Sequence, residues 1–138
     1  LLAGVLADTG LRGAVYLENL RREAGPSSTK ALAADWVDAN IQAGASVGLL
    51  RYPEPAHTPP FRWDRLRLVV FESFRDLKAR PVPEWIVASA SGWDAVDEGL
   101  RSRYDEARSF APARLLWAAP RDDSFFADAG MTVQRRRP

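Results

Sequence analysis

Ser27-Ser28-Thr29-Lys30-Ala31-Leu32-Ala33-Ala34-Asp35-Trp36-Val37-Asp38-Ala39-Asn40-Ile41-Gln42-Ala43-Gly44-Ala45-Ser46-Val47-Gly48-Leu49-Leu50-Arg51-Tyr52-Pro53-Glu54-Pro55 reads as a capped helix, a glycine stop, a buried strand and a proline-rich loop. Ser27 or Ser28 supplies the cap, because a hydroxyl there accepts from an unpaired N–H of the first turn. Leu32 and Trp36, joined by Ala39 or Ile41, form the expected inward stripe. Gly44 provides the left-handed stop. Ser46–Leu50 is short and apolar, as a central strand covered on both faces must be. The segment is the opening half of an α/β unit, and ligands of such folds gather where strands end at their carboxyl edge.

Working outward, Leu11–Ala24 has helical spacing, with Leu11, Val15, Leu17 and Leu20 on or near one face and Gly25-Pro26 as terminator. Downstream, Pro53, Pro55, Pro59 and Pro60 make residues 51–63 a stiff loop. Leu66–Phe71 reads as a second strand with both faces buried, and Glu72–Arg80 as a short helix closed by Pro81 and Pro83. Glu84–Ser89 reads as a third strand, whose Ser-Ala-Ser-Gly-Trp turn feeds a helix near Asp94–Arg101. Tyr104–Phe110 suits an edge strand, Ala113–Ala118 fits helix or strand, and Met131–Val133 begins a last strand. The order predicts one α/β domain over 1–138, with an N-terminal helix in 1–26 and the core in 27–138. The expected architecture is a small three-layer, Rossmann-like domain whose mixed sheet is mostly parallel, with antiparallel edge strands.

A chain of 138 residues is long enough for a sizeable core. Its net charge of +1 gives no bulk field toward nucleic acid, so no nucleic-acid partner is expected. Without cysteine there is no disulfide, thiolate chemistry or zinc–sulfur site. No apolar run reaches the roughly 18–20 residues that cross a bilayer. The sequence begins at Leu1 without a signal-like basic start and is read as part of a longer protein. Leu1–Ala7 suits equally the stub of a preceding membrane helix and an ordinary helix start.

Few residues point to chemistry. His57 is the one histidine, which excludes a two-histidine metal site. No glycine-rich phosphate loop or G-x-S-x-G elbow occurs. Ser89 and Ser91 follow a strand as a nucleophile would, and could be served by His57, but a turn-forming role fits them better. Arg51 and Glu54, just past the first strand, either hold a polar ligand or pair with each other. Trp36 and Trp85 read as core, whereas Trp63 and Trp93 read as partly exposed rings beside strand ends, suited to stacking on a sugar. Asp94, Asp97 and Asp122-Asp123 read as caps and solvated loop. Arg135–Arg137 reads as a solvated tail, able to touch anionic lipid if it lies at a membrane. The candidate ligand-binding residues are therefore Arg51, Glu54, His57, Trp63, Ser89, Ser91 and Trp93. No catalytic residue, metal ligand or cofactor is expected.

Ala34-Asp35-Trp36-Val37-Asp38-Ala39-Asn40-Ile41-Gln42-Ala43-Gly44 resembles the A-x-W-I-x-x-N-I-P-x-G segment of bacterial membrane glycosyltransferases, the dolichyl-phosphate-mannose-protein mannosyltransferase-like proteins and their aminoarabinose-transferase relatives. Val47–Pro55 is similar to their strand and acidic-proline loop, Pro83–Ser89 to their P-D-Y-V-V-x-S strand, and Tyr104–Phe110 with Met131–Arg137 to their final strands. Gln42 stands where the family has proline, and Glu84-Trp85 where it has Asp-Tyr. The resemblance implies an extracytoplasmic, membrane-associated domain following the last membrane helix. It implies a parent enzyme that moves sugar from a polyprenyl-phosphate donor, and as partners the membrane-embedded part of the same protein and a glycan or polyprenyl-phosphate sugar. The family's catalytic acids lie in an earlier loop, so no catalytic role carries onto any residue here.

Overall fold

The computed structural model describes residues 2–50, 58–71, 81–112, 114 and 130–138. The chain forms α1 (Leu2–Glu23), α2 (Thr29–Asn40), β1 (Ser46–Leu50), a 3-10 turn (Trp63–Arg65) and β2 (Arg67–Phe71). It continues through β3 (Trp85–Ser89), α3 (Ala90–Asp94), α4 (Glu98–Arg101), β4 (Tyr104–Phe110) and β5 (Met131–Arg136). The helix expected over 72–80 and the ambiguous segment 113–118 lie outside the described residues, apart from Arg114.

The strands form one sheet in the order β2-β1-β3-β5-β4. β1 pairs in parallel with β2 and β3, whereas β5 pairs antiparallel with β3 and β4. The sheet is thus mixed, with two parallel and two antiparallel pairings, and β5 is the one strand that runs against the other four. The last strand is interior, and only β4 is an antiparallel edge. β2 is the other edge, so Leu68, Val69 and Val70 are half-buried instead of covered on both faces. An edge strand lacks a neighbour on one side, which the run of apolar letters does not reveal.

Alternation assigns the two faces. Val47, Leu49, Val87, Met131 and Val133 share one face and are buried against Ala33, Ala34, Val37 and Ile41 of α2. The inward stripe of α2 is rotated by one residue from the expected one: Leu32 is 43% exposed and Ala39 is exposed, while Ile41 is buried. Two adjacent alanines let the helix backbone approach the sheet closely. Trp36 flanks that contact, its ring edge-on to Trp85 at 6.1 Å between centroids. On the opposite face Ile86, Ala88 and Tyr104 are buried, with Val82, Trp93 and Leu100 packed on them.

Local chemistry sets the element ends. Ser28 Oγ accepts from the Ala31 N–H at 3.1 Å, the cap of α2. Gly44 has φ +82°, the left-handed region where a side chain is strained. Arg65 then clamps the end of α2, donating to the carbonyls of Asp38 (2.8 Å) and Ile41 (3.4 Å), where a cation suits the helix's negative pole. Gly48 is required sterically, since a Cβ there would lie 2.7 Å from Pro83 Cγ and 3.0 Å from Phe71. The helix expected near 94–101 is instead two short ones, because Asp97 caps a fresh start by accepting from the Gly99 N–H at 3.0 Å. Leu2–Ala7 belongs to α1, and no helix among the described residues is long and apolar enough to cross a membrane.

Candidate functional site

β1, β2 and β3 run in parallel, so their carboxyl ends share one end of the sheet and their amino ends the other. Ser89 leaves β3 at the carboxyl end and caps α3, its Oγ accepting from the Gly92 N–H at 3.1 Å. This is the turn-forming role. Ser91 is exposed on α3. Trp93 is half-buried, edge-on to Tyr104 at 5.8 Å, and so belongs to the second core. Trp63 is 38% exposed and neighbours Phe61 at 6.1 Å. It precedes β2, so it lies toward the amino end, apart from Ser89. Arg51, Glu54 and His57 lie outside the described residues. Trp63 and the Ser89–Trp93 turn therefore do not line one site.

The amino end of the sheet carries a concavity that the candidate residues do not include. It is a cleft of about 380 Å³, lined by Glu84, Trp85, Asp105 and Arg135–Arg137 with Pro138. Pairing across the sheet builds it: Trp85 lies opposite Arg135, and Asp105 lies opposite Arg135 on the other flank. A register shift between Glu106 and Arg108 offsets β4 just beyond.

The three arginines have three different settings. The Arg135 guanidinium lies over the Trp85 ring at 5.4 Å from its centroid, a cation–π contact. Arg136 Nη1 donates to the Val82 carbonyl at 2.9 Å, and its backbone N–H to Glu84 O at 2.8 Å. Arg137 pairs with Asp105, Nη2 to Oδ1 at 2.7 Å. Beneath them Tyr104 donates its hydroxyl to the Pro83 carbonyl at 2.8 Å. Burial pushes the Tyr104 phenol up to about 12, against the opposing pull of Arg136 and Arg103. The run Arg135–Arg137 is thus not a free tail. Alternation extended from Met131-Thr132-Val133 would have set Arg135 on the face of Met131 and Val133, but its place opposite Trp85 comes from the β3–β5 pairing, which the segment alone does not reveal.

No cluster of three His, Cys, Asp or Glu able to hold a metal occurs among the described residues. No protein-family model, curated protein or solved structure matches the chain.

Proposed function

We propose that this chain is the soluble accessory domain of a membrane-embedded glycosyltransferase that uses a polyprenyl-phosphate sugar donor. In this reading it sits on the extracytoplasmic face, catalyses nothing alone, and shapes the acceptor or donor entrance of the membrane part. The observation that carries the reading is where the family-like words fall. Ala34–Gly44 ends α2, and the described parts of the others form β1, β3, β4 and β5, which are contiguous in one sheet. Scattered chance matches have no reason to assemble around one core, whereas the segments of a shared domain do.

With it goes the finer architecture, a three-layer Rossmann-like arrangement. Its support is the parallel β2–β1–β3 order. Parallel neighbours need crossover connections, so β2 and β3 each start at the end of the sheet opposite to where the preceding strand stops. The partners of the reading are the membrane-embedded part of the same protein and a glycan or lipid-linked sugar.

The test is the coding sequence upstream of Leu1. Eight or more apolar spans of roughly 20 residues, with acidic residues in the first outward loop, are the expected result. A start codon adjoining Leu1 and no such spans would discard the reading.

A further inference from the structure

We propose that the cleft at the amino end of the sheet binds a phosphate group, held by Arg135 and Arg136. It is a separate site from the Ser89–Trp93 turn and Trp63, and it stands whether or not the chain belongs to a membrane transferase. Three guanidiniums and two carboxylates line the cleft. Asp105 is neutralised by Arg137 at 2.7 Å. Arg136 donates Nη1 to the Val82 carbonyl, and among the described residues no carboxylate pairs with its guanidinium. Arg135 meets no carboxylate within ion-pair distance among the described residues, and its exposed guanidinium lies over Trp85, with Cζ 5.4 Å from the ring centroid.

That arrangement suits a tetrahedral oxyanion. A planar guanidinium presents paired N–H donors whose spacing matches two phosphate oxygens, and its pre-organised fork loses little freedom per bond formed. Trp85 is itself fixed by its edge contact with Trp36, so the platform is anchored to the main core. Arg135 and Arg136 are consecutive in β5 and leave opposite faces of the sheet, yet both line the cleft, so it draws a guanidinium from each face at the sheet's end. Glu84, exposed at the rim, opposes the anion. The site therefore has an electrostatic sign that mutation can read in both directions. A phosphate monoester on a small sugar and the headgroup phosphate of an anionic lipid share the recognised chemistry, and the experiment separates them.

The full 138-residue chain is titrated with inorganic phosphate and glucose 1-phosphate, following tryptophan fluorescence, and co-sedimented with phosphatidylglycerol–phosphatidylcholine or pure phosphatidylcholine vesicles. Binding is expected to saturate in at least one arm, and Arg135→Gln to weaken it about tenfold or more, the scale of a lost charge-assisted pair. Arg135→Lys, which keeps the charge but not the fork, should fall between. Glu84→Gln should tighten binding. Arg21→Gln, at an exposed residue of α1 paired to Glu18, should change nothing. A response to the soluble phosphates identifies a small ligand. A response to anionic vesicles alone, with the same Arg135 dependence, identifies a headgroup. Unchanged thermal midpoints keep the variants interpretable, and Arg135→Lys remains readable if Arg135→Gln unfolds. Absence of binding in both arms, equal binding by wild type and Arg135→Gln, or equal losses in Arg21→Gln and Arg135→Gln would overturn the proposal.

Discussion

The two halves of the sheet differ in what their side chains do. In the parallel half, Ser46–Leu49 of β1 and Ile86–Ala88 of β3 are buried, packed by α2 on one face and by Phe71, Pro83 and the second cluster on the other. In the antiparallel half, β4 buries only Tyr104 outright and exposes Asp105–Ser109, and β5 is buried from Met131 to Gln134 before turning charged. One half is stabilised by apolar burial, worth roughly 1.5–3 kcal/mol per large side chain. The other adds an edge strand that meets water, with one exposed ion pair among the described residues, Arg137–Asp105, worth ~0–1 kcal/mol. Stability thus concentrates at β1, β3 and the buried part of β5, Met131–Gln134, and displayed charge at β4 and the end of β5. The bulged, charged β4 also protects the sheet from pairing with another chain.

That contrast sets a scale of expected losses. Ile86→Ala, at a fully buried position, should cost about 2–5 kcal/mol in chemical denaturation. A loss below half of the lower bound would remove β3 from the core. Gly48→Ala should cost about 1–3 kcal/mol, because the new methyl would lie 2.7 Å from Pro83 Cγ, closer than a Cβ comes, and 3.0 Å from Phe71, which must give. A neutral outcome would show that the lead-in to β3 yields.

Alkaline titration comes next. The folded pKa of Tyr104 is about 12, above its ordinary value of 10.0, so the folded state favours the protonated phenol. Its contribution is fully present below pH 10 and is lost as pH rises from 10 toward 12. Denaturation midpoints should fall across that window in wild type. Tyr104→Phe should flatten the fall, while also losing the bond to Pro83; an equal fall in both proteins would assign it to other groups. Ser28→Ala should cost about 1 kcal/mol through the lost cap of α2. Glu106→Gln, on the exposed edge strand, should stay within about 0.5 kcal/mol. A larger loss there would erase the contrast between the halves.

The strands were legible in both halves, Tyr104–Phe110 as an edge strand and Met131 as the start of the last one, whereas the strand order was not, for physical reasons. Capping and stop signals are local, so Ser28, Gly44 and Asp97 act as their residue types imply. Buried parallel strands are uninterrupted apolar runs, which is why 46–50 and 85–89 stand out. Strand order is a long-range property: nothing local in Met131-Thr132-Val133-Gln134 says that it inserts between β3 and β4. The buried Thr132 and Gln134, joined by a side-chain hydrogen bond, disguise an interior strand as a polar one. The α2 stripe was misplaced because Leu32 and Trp36 outweigh Ala33 and Ala34 in any hydrophobic count, although small residues permit the closer approach. The cleft was missed for a related reason. An arginine run is ordinarily solvated, and only the register with Trp85 gives Arg135 a fixed partner.

The most direct test of this division is native-state amide hydrogen exchange resolved along the chain. Slowest exchange is expected at Val47–Leu49 and Ile86–Ala88, opening only with global unfolding, and faster local exchange at Asp105–Ser109. Protection in β4 equal to that of β1 and β3 would contradict the account, because the fold would then open as one unit with no weaker, charged half.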